Sequence, residues 1–155
     1  MKWFLIITLI VVIMMIAYSV NEQYRDKYDF YKNLKTFLNQ FKLNLSFKQE
    51  KIKDFLNNMK PKKQFKVFIE EYQNYLKTNT IDLSQLKILE TDEQHQLETI
   101  IKNIGNMNST NEINQLNTFL IEIAEKLTIA DKEKRKLCPM ILKLSLLFAI
   151  GIAII

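Results

Sequence analysis

STNEINQLNTFLIEIAEKLTIA, residues 109–130, sets Ile113, Leu116, Leu120, Ile123, Leu127 and Ala130 in an unbroken three-four stripe. Such spacing puts all six on one face of an α-helix. Ser109 with Glu112 reads as a capping box that starts it. On the outer surface Glu122 stands four residues before Lys126, and Asp131 four before Arg135, the acid-first order that supports a helix. The stripe is read as core rather than as a partner site. It gives out where the basic run Lys132, Lys134, Arg135 and Lys136 begins, and the helix is expected to run on toward the C-terminus.

Working back from this stretch, every apolar run in the middle of the chain repeats with helical period. Tyr31, Leu34, Leu38, Phe41 and Leu45 line one face of a first helix. Ser46 with Gln49 fits a capping box for a second, with Ile52, Phe55, Leu56 and Met59 inward and Pro61 as its stop. A third presents Phe65, Phe68, Ile69, Tyr72 and Leu76. Residues 78–83 read as a connector and Ser84 as the start of a short helix. Thr91 with Gln94 reads as the cap of a helix that buries Leu97, Ile100, Ile101 and Ile104, with Gly105 as its C-cap. No run alternates at period two, and the 155 residues include only two glycines and two prolines, so no strand is expected. Heptad-like stripes also suit a coiled coil. The interruptions at Pro61 and Gly105 favour helices folded on one another instead.

The two ends differ from this middle. Residues 3–20 carry no charge, and Trp3 and Tyr18 stand at the ends of the run, where aromatic rings prefer the headgroup level. A spanning helix needs about 20 apolar residues, so this run is read as a retained anchor. The rival is a cleaved signal peptide with Lys2 as its basic region and Ala17-Tyr18-Ser19 as its cleavage site. The apolar run is longer than such a peptide needs. Residues 138–155 carry one charge, Lys143, which would snorkel toward the headgroups. They are read as a short second membrane helix, and the sequence leaves open whether it crosses fully. The expected architecture is therefore all-α. An N-terminal anchor (1–20) precedes an antiparallel helical bundle (21–137), and a C-terminal membrane segment (138–155) follows. Arg25, Lys27, Lys132, Lys134, Arg135 and Lys136 flank the two apolar ends on the side of the middle segment. By the excess of basic residues there, the middle is cytoplasmic and both termini point away.

Composition excludes several functions. The formal charge is +5, from 22 basic and 17 acidic residues. Arginine occurs only at Arg25 and Arg135, and no basic face gathers planar donors for nucleic acid. His95 is the one histidine and falls opposite the apolar face of its helix. Cys138 is the one cysteine and is read as a small buried hydrophobe at the membrane edge. No zinc set, nucleophile-base pair or phosphate loop can be assembled, so no catalytic residue, metal site or cofactor is expected. Glu70, Glu71, Asp92 and Glu93 are assigned to a polar surface for a protein partner, on the side away from the membrane-flanking lysines. Membrane lipids are the other expected partner, and homo-oligomerisation is left open.

Several of these features together resemble a known family. Ile104-Gly105-Asn106, then Glu112 and Gln115, a long amphipathic helix containing Ala124, the run from Asp131 to Lys136 and an apolar tail containing Gly151 resemble the stage III sporulation protein AB family. So do the N-terminal anchor, Tyr24-Arg25 and the spaced Leu34 and Leu38. The sequence departs from the family pattern at Cys138-Pro139 (usually Leu-Gly), at Ser46-Phe47 (Thr-Pro), and at Asn108 and Ser109, where an acid is expected. The resemblance implies a helical domain like that of the type II secretion platform protein, between two membrane helices. It also implies a non-enzymatic platform in the channel complex that joins mother cell and forespore, with a secretion-type ATPase and other channel subunits as partners. The alternatives are a generic membrane-tethered helical scaffold and a small phage-type membrane-active protein.

Overall fold

The computed structural model describes residues 2–45, 52–104 and 109–154, apart from the side chains of Lys2, Ser109, Thr110 and Ala153. Among them are five helices and no strand. They are α1 (Lys2–Leu43), α2 (Ile52–Asn57), α3 (Lys63–Thr78), α4 (Thr91–Asn103) and α5 (Ser109–Ile154). The expected boxes at Ser46 and the C-cap at Gly105 lie outside the described residues. So does the side chain on which the box at Ser109 rests.

The 42-residue α1 and the 46-residue α5 form the frame. At about 1.5 Å per residue each is over 60 Å long. They run antiparallel. Near one end the Cys138 thiol lies 3.8 Å from the Asn21 carbonyl oxygen, and near the other Lys42 donates to Asn117 Oδ1 at 2.7 Å. Both expected membrane boundaries, at 20 and 138, fall inside these continuous helices. Pro139 lacks an N–H and so leaves the Arg135 carbonyl without its helical donor, yet α5 passes through it.

The core is aromatic. Phe30, Phe37, Phe41, Phe65, Phe68 and Tyr72 are all buried between α1 and α3, with Phe55 of α2 against Phe37 and Phe41. Leu97, Ile100 and Ile101 of α4 join them as expected, and so does Ile104, the residue that caps its end. The α5 stripe is core in part. Leu116, Ile123 and Ala130 are buried, while Leu120 and Leu127 are half-buried against the cluster. Ile113 is half-buried and does not join the cluster among the described residues. The buried positions therefore step by seven along α5. We expect Leu116→Ala to cost roughly 2–5 kcal/mol and Leu120→Ala less than half of that. Thermal unfolding of the full chain in detergent would check the order, and equal costs would contradict it.

Three local readings are corrected. No helix starts at Ser84. Asp82 Oδ1 accepts the Ser84 amide at 2.9 Å, and two tight turns follow, closed by Leu86 N–H to Leu83 O and Leu89 N–H to Leu86 O. That three-residue repeat sets Leu83, Leu86 and Leu89 on one side, and all three are buried. Leu76 is exposed at the rim with Lys53, Asn57 and Gln73, and Tyr75 packs in its place. Finally, α4 is capped one residue earlier than expected. Glu90 is its N-cap and Glu93 accepts the Glu90 backbone N–H, while Nε2 of the Gln94 side chain instead donates to the Leu86 and Leu89 carbonyls.

Candidate functional site

Two features of the frame carry functional information: its apolar end and a buried charged cluster just beyond that end. Most of the large side chains of residues 3–18 are exposed, with Trp3 at 72% and Phe4 at 74%. The end of α5 is similarly bare, exposing Leu146, Leu147, Phe148 and Ile150. Among the described residues, α1 is the one helix long and apolar enough to cross a membrane. Between the two apolar ends runs a narrow seam of small and polar side chains: Ala17, Asn21, Cys138, Ser145 and Ala149, all buried. Small groups let the two helices approach closely. Thr8 and Ser145 return their hydroxyls to the Phe4 and Leu142 carbonyls, so neither enters the apolar zone unbonded.

Beyond the seam Glu93 ties three helices together. One carboxylate oxygen lies 3.0 Å from Lys27 Nζ of α1, and the other 3.7 Å from Lys126 Nζ of α5. The Glu90 amide donates to it at 2.9 Å, and the Tyr31 hydroxyl is a further donor. Burial pushes the Glu93 carboxyl up. The Glu90 amide, Lys27 and Tyr31 together outweigh that and hold it below its ordinary range, so it is a carboxylate at neutral pH. Burial, and then the Glu93 charge, push the Tyr31 phenol far up, so it stays a donor. The cavity beside this cluster, lined by Phe30, Leu34, Leu97 and Ile123, holds only about 10 Å³, room for at most one water. The cluster is a tie between helices, and this cavity has no space for a substrate.

The expected site residues are therefore redistributed. Of the basic residues assigned to the membrane flank, Arg25, Lys132 and Lys136 are exposed. Arg135 pairs with Asp131 at 2.7 Å, and Lys134 Nζ sits 3.9 Å over the Tyr28 ring. Lys27 turns inward to Glu93. Lys126 does the same and gives up the expected pairing with Glu122, because a buried carboxylate attracts it more strongly than a solvated one. The expected partner surface is corrected as well. Glu93 is buried, and Asp92 beside it begins α4 at the level of Lys27, not on the opposite side. Glu70 is exposed and pairs with Lys66, and Glu71 is half-buried. The start of α3 is fixed to another face of α1, where Lys63 bonds Asp26 at 2.6 Å, so the four acids do not form one patch. His95 is exposed beside Glu98, as expected. No group of three or more metal-ligating side chains occurs among the described residues.

The Glu93 tie was missed in the sequence, although a signal was present. Glu93 stands four residues before Leu97 and in register with Ile100, Ile101 and Ile104, so the acid occupies the apolar stripe of its own helix.

No curated protein and no solved structure matches the chain. The stage III sporulation protein AB family matches it over residues 2–155, nearly the whole length. That match agrees with the resemblance drawn from Tyr24-Arg25, the long final helix and the basic run before the apolar tail. An all-α chain with a long apolar N-terminal helix and this end-to-end match belongs to the stage III sporulation protein AB family, and its role is in sporulation.

Proposed function

We propose that the chain is a non-enzymatic platform subunit of the channel complex between mother cell and forespore. In this reading it holds a cytoplasmic secretion-type ATPase against a ring of other membrane subunits. One observation carries the reading: α1 and α5 run unbroken from the packed core into exposed apolar stretches at the same end of the hairpin. A domain joined to a bilayer through two continuous helices cannot swivel on a linker, so it can resist or transmit force. A single tether would need neither the second helix nor the tie at Glu93. Glu70 and Glu71 on α3 are the acids left for contact with the motor.

Deleting the gene in the source organism should arrest spore development after engulfment and leave vegetative growth unchanged. Normal heat-resistant spores would overturn the reading and leave a generic scaffold. Orientation has its own test. A chain with Cys138→Ser and Asn74→Cys should resist an impermeant thiol reagent in intact cells, since Asn74 is exposed on the segment read as cytoplasmic. Labelling from outside would reverse the topology.

A further inference from the structure

The face of α5 turned away from α1 carries Lys132, Lys136 and Lys143. Their spacing of four and seven residues places the three within about 40° of one another around the helix. All are exposed, and no ion pair engages them among the described residues. Asp131 is taken by Arg135, and Lys134 is turned to Tyr28. The continuity of α5 through Pro139 matters here, because a break would rotate Lys143 away from Lys136. These two are separated by about 10 Å of helix rise. A lysine stem directed toward the headgroups closes most of that gap. On the same face, Met140 and Leu147 are exposed apolar side chains.

We propose that this face binds an anionic phospholipid. Lys136 and Lys143 bracket its phosphate, Lys132 adds charge on the water side, and an acyl chain lies along Met140 and Leu147. The charge is complementary to a headgroup with net negative charge. A zwitterionic lipid also has a phosphate, but its own cation competes for it, so the face distinguishes the two. The inference rests on the reading that the end of α5 lies in a bilayer.

The test uses the full chain with Trp3→Phe and Met140→Trp, reconstituted in phosphatidylcholine bilayers. Dibrominated phosphatidylglycerol or dibrominated phosphatidylcholine is then added as the quencher of the introduced tryptophan. Phosphatidylglycerol should associate roughly fivefold or more tightly, since each basic side chain near such a surface is worth about that factor. Lys136→Gln with Lys143→Gln should bring the ratio near one, and the paired arginine variants should keep it. Equal quenching by the two lipids overturns the proposal and leaves the embedding of α5 intact. Quenching by neither lipid overturns both. A preference that survives the glutamine changes would also overturn the proposal, and so would one abolished by inorganic phosphate, which would assign the site to a soluble anion.

Discussion

Glu93→Ala is expected to destabilise the chain by roughly 3 kcal/mol, the low end of what breaking a buried ion pair costs. The low end applies because Lys27 and Lys126 keep side-chain exposures of 19% and 30% and can turn to water once released. The loss would still be large, because it uncouples α4 from α1 and α5 together and leaves Tyr31 with a buried hydroxyl whose acceptor is gone. Glu93→Gln keeps the size and can still accept the Glu90 amide, so its cost should be smaller, roughly 1.5–2 kcal/mol.

The difference between the unmodified chain and the glutamine variant should depend on pH, and its sign follows from the carboxyl. Its folded pKa lies below its ordinary value, so its stabilisation is fully present above the unfolded pKa of about 4.3. The stabilisation is lost as pH falls through the lower, folded value. Unfolding in detergent at pH 7 and at pH 3 would measure this. A gap that stays constant between those values would mean that Glu93 is not held ionised by its partners, and the proposed tie would fail.

The sequence announced the architecture because it is written in long periodic runs. Tyr31, Leu34, Leu38 and Phe41 can share a face only on a helix, and they are buried together. The α5 stripe was equally plain, though its period could not say which of its members lie deepest. Leu116 and Leu120 look alike in the sequence, and only the direction of α1 across α5 makes one buried and the other half-exposed. Local turns were less legible. Leu83, Leu86 and Leu89 are spaced for either a helical start or a chain of tight turns, and the Asp82 side chain decides for turns by holding the Ser84 amide. The charged residues were the least legible. A lysine four residues from a glutamate reads as a surface pair. Lys126 passes over Glu122 for a partner 33 positions away, which no local pattern encodes. The family itself was legible from the order of elements, since that order survives replacement of individual motif residues.

The largest single loss in the interior is expected at Phe37. This ring is 0% exposed, and five other rings surround it: Phe41, Phe55, Phe65, Phe68 and Tyr72, at centroid distances of 5.8–6.3 Å. They come from α1, α2 and α3, so Phe37 is where the three helices meet. Its truncation leaves a cavity whose walls are rigid aromatic planes, which collapse poorly. Phe37→Ala should cost roughly 4–5 kcal/mol, the upper part of the range for such changes. A domain of this kind is stable by only about 5–15 kcal/mol, so a variant this damaged could approach the unfolding threshold at physiological temperature. Tyr72→Phe is the matched control at the edge of the same cluster. The Tyr72 hydroxyl is buried with no hydrogen-bond partner among the described residues. Removing it should be neutral or stabilising by up to about 1 kcal/mol, since an unsatisfied buried polar group is lost with no bond broken. Unfolding of both variants in detergent, followed by the helical signal, separates the cases. If Phe37→Ala unfolds within 1 kcal/mol of the unmodified chain, α1, α2 and α3 do not share one core. If Tyr72→Phe is instead strongly destabilising, the hydroxyl has a partner that holds α3 in place.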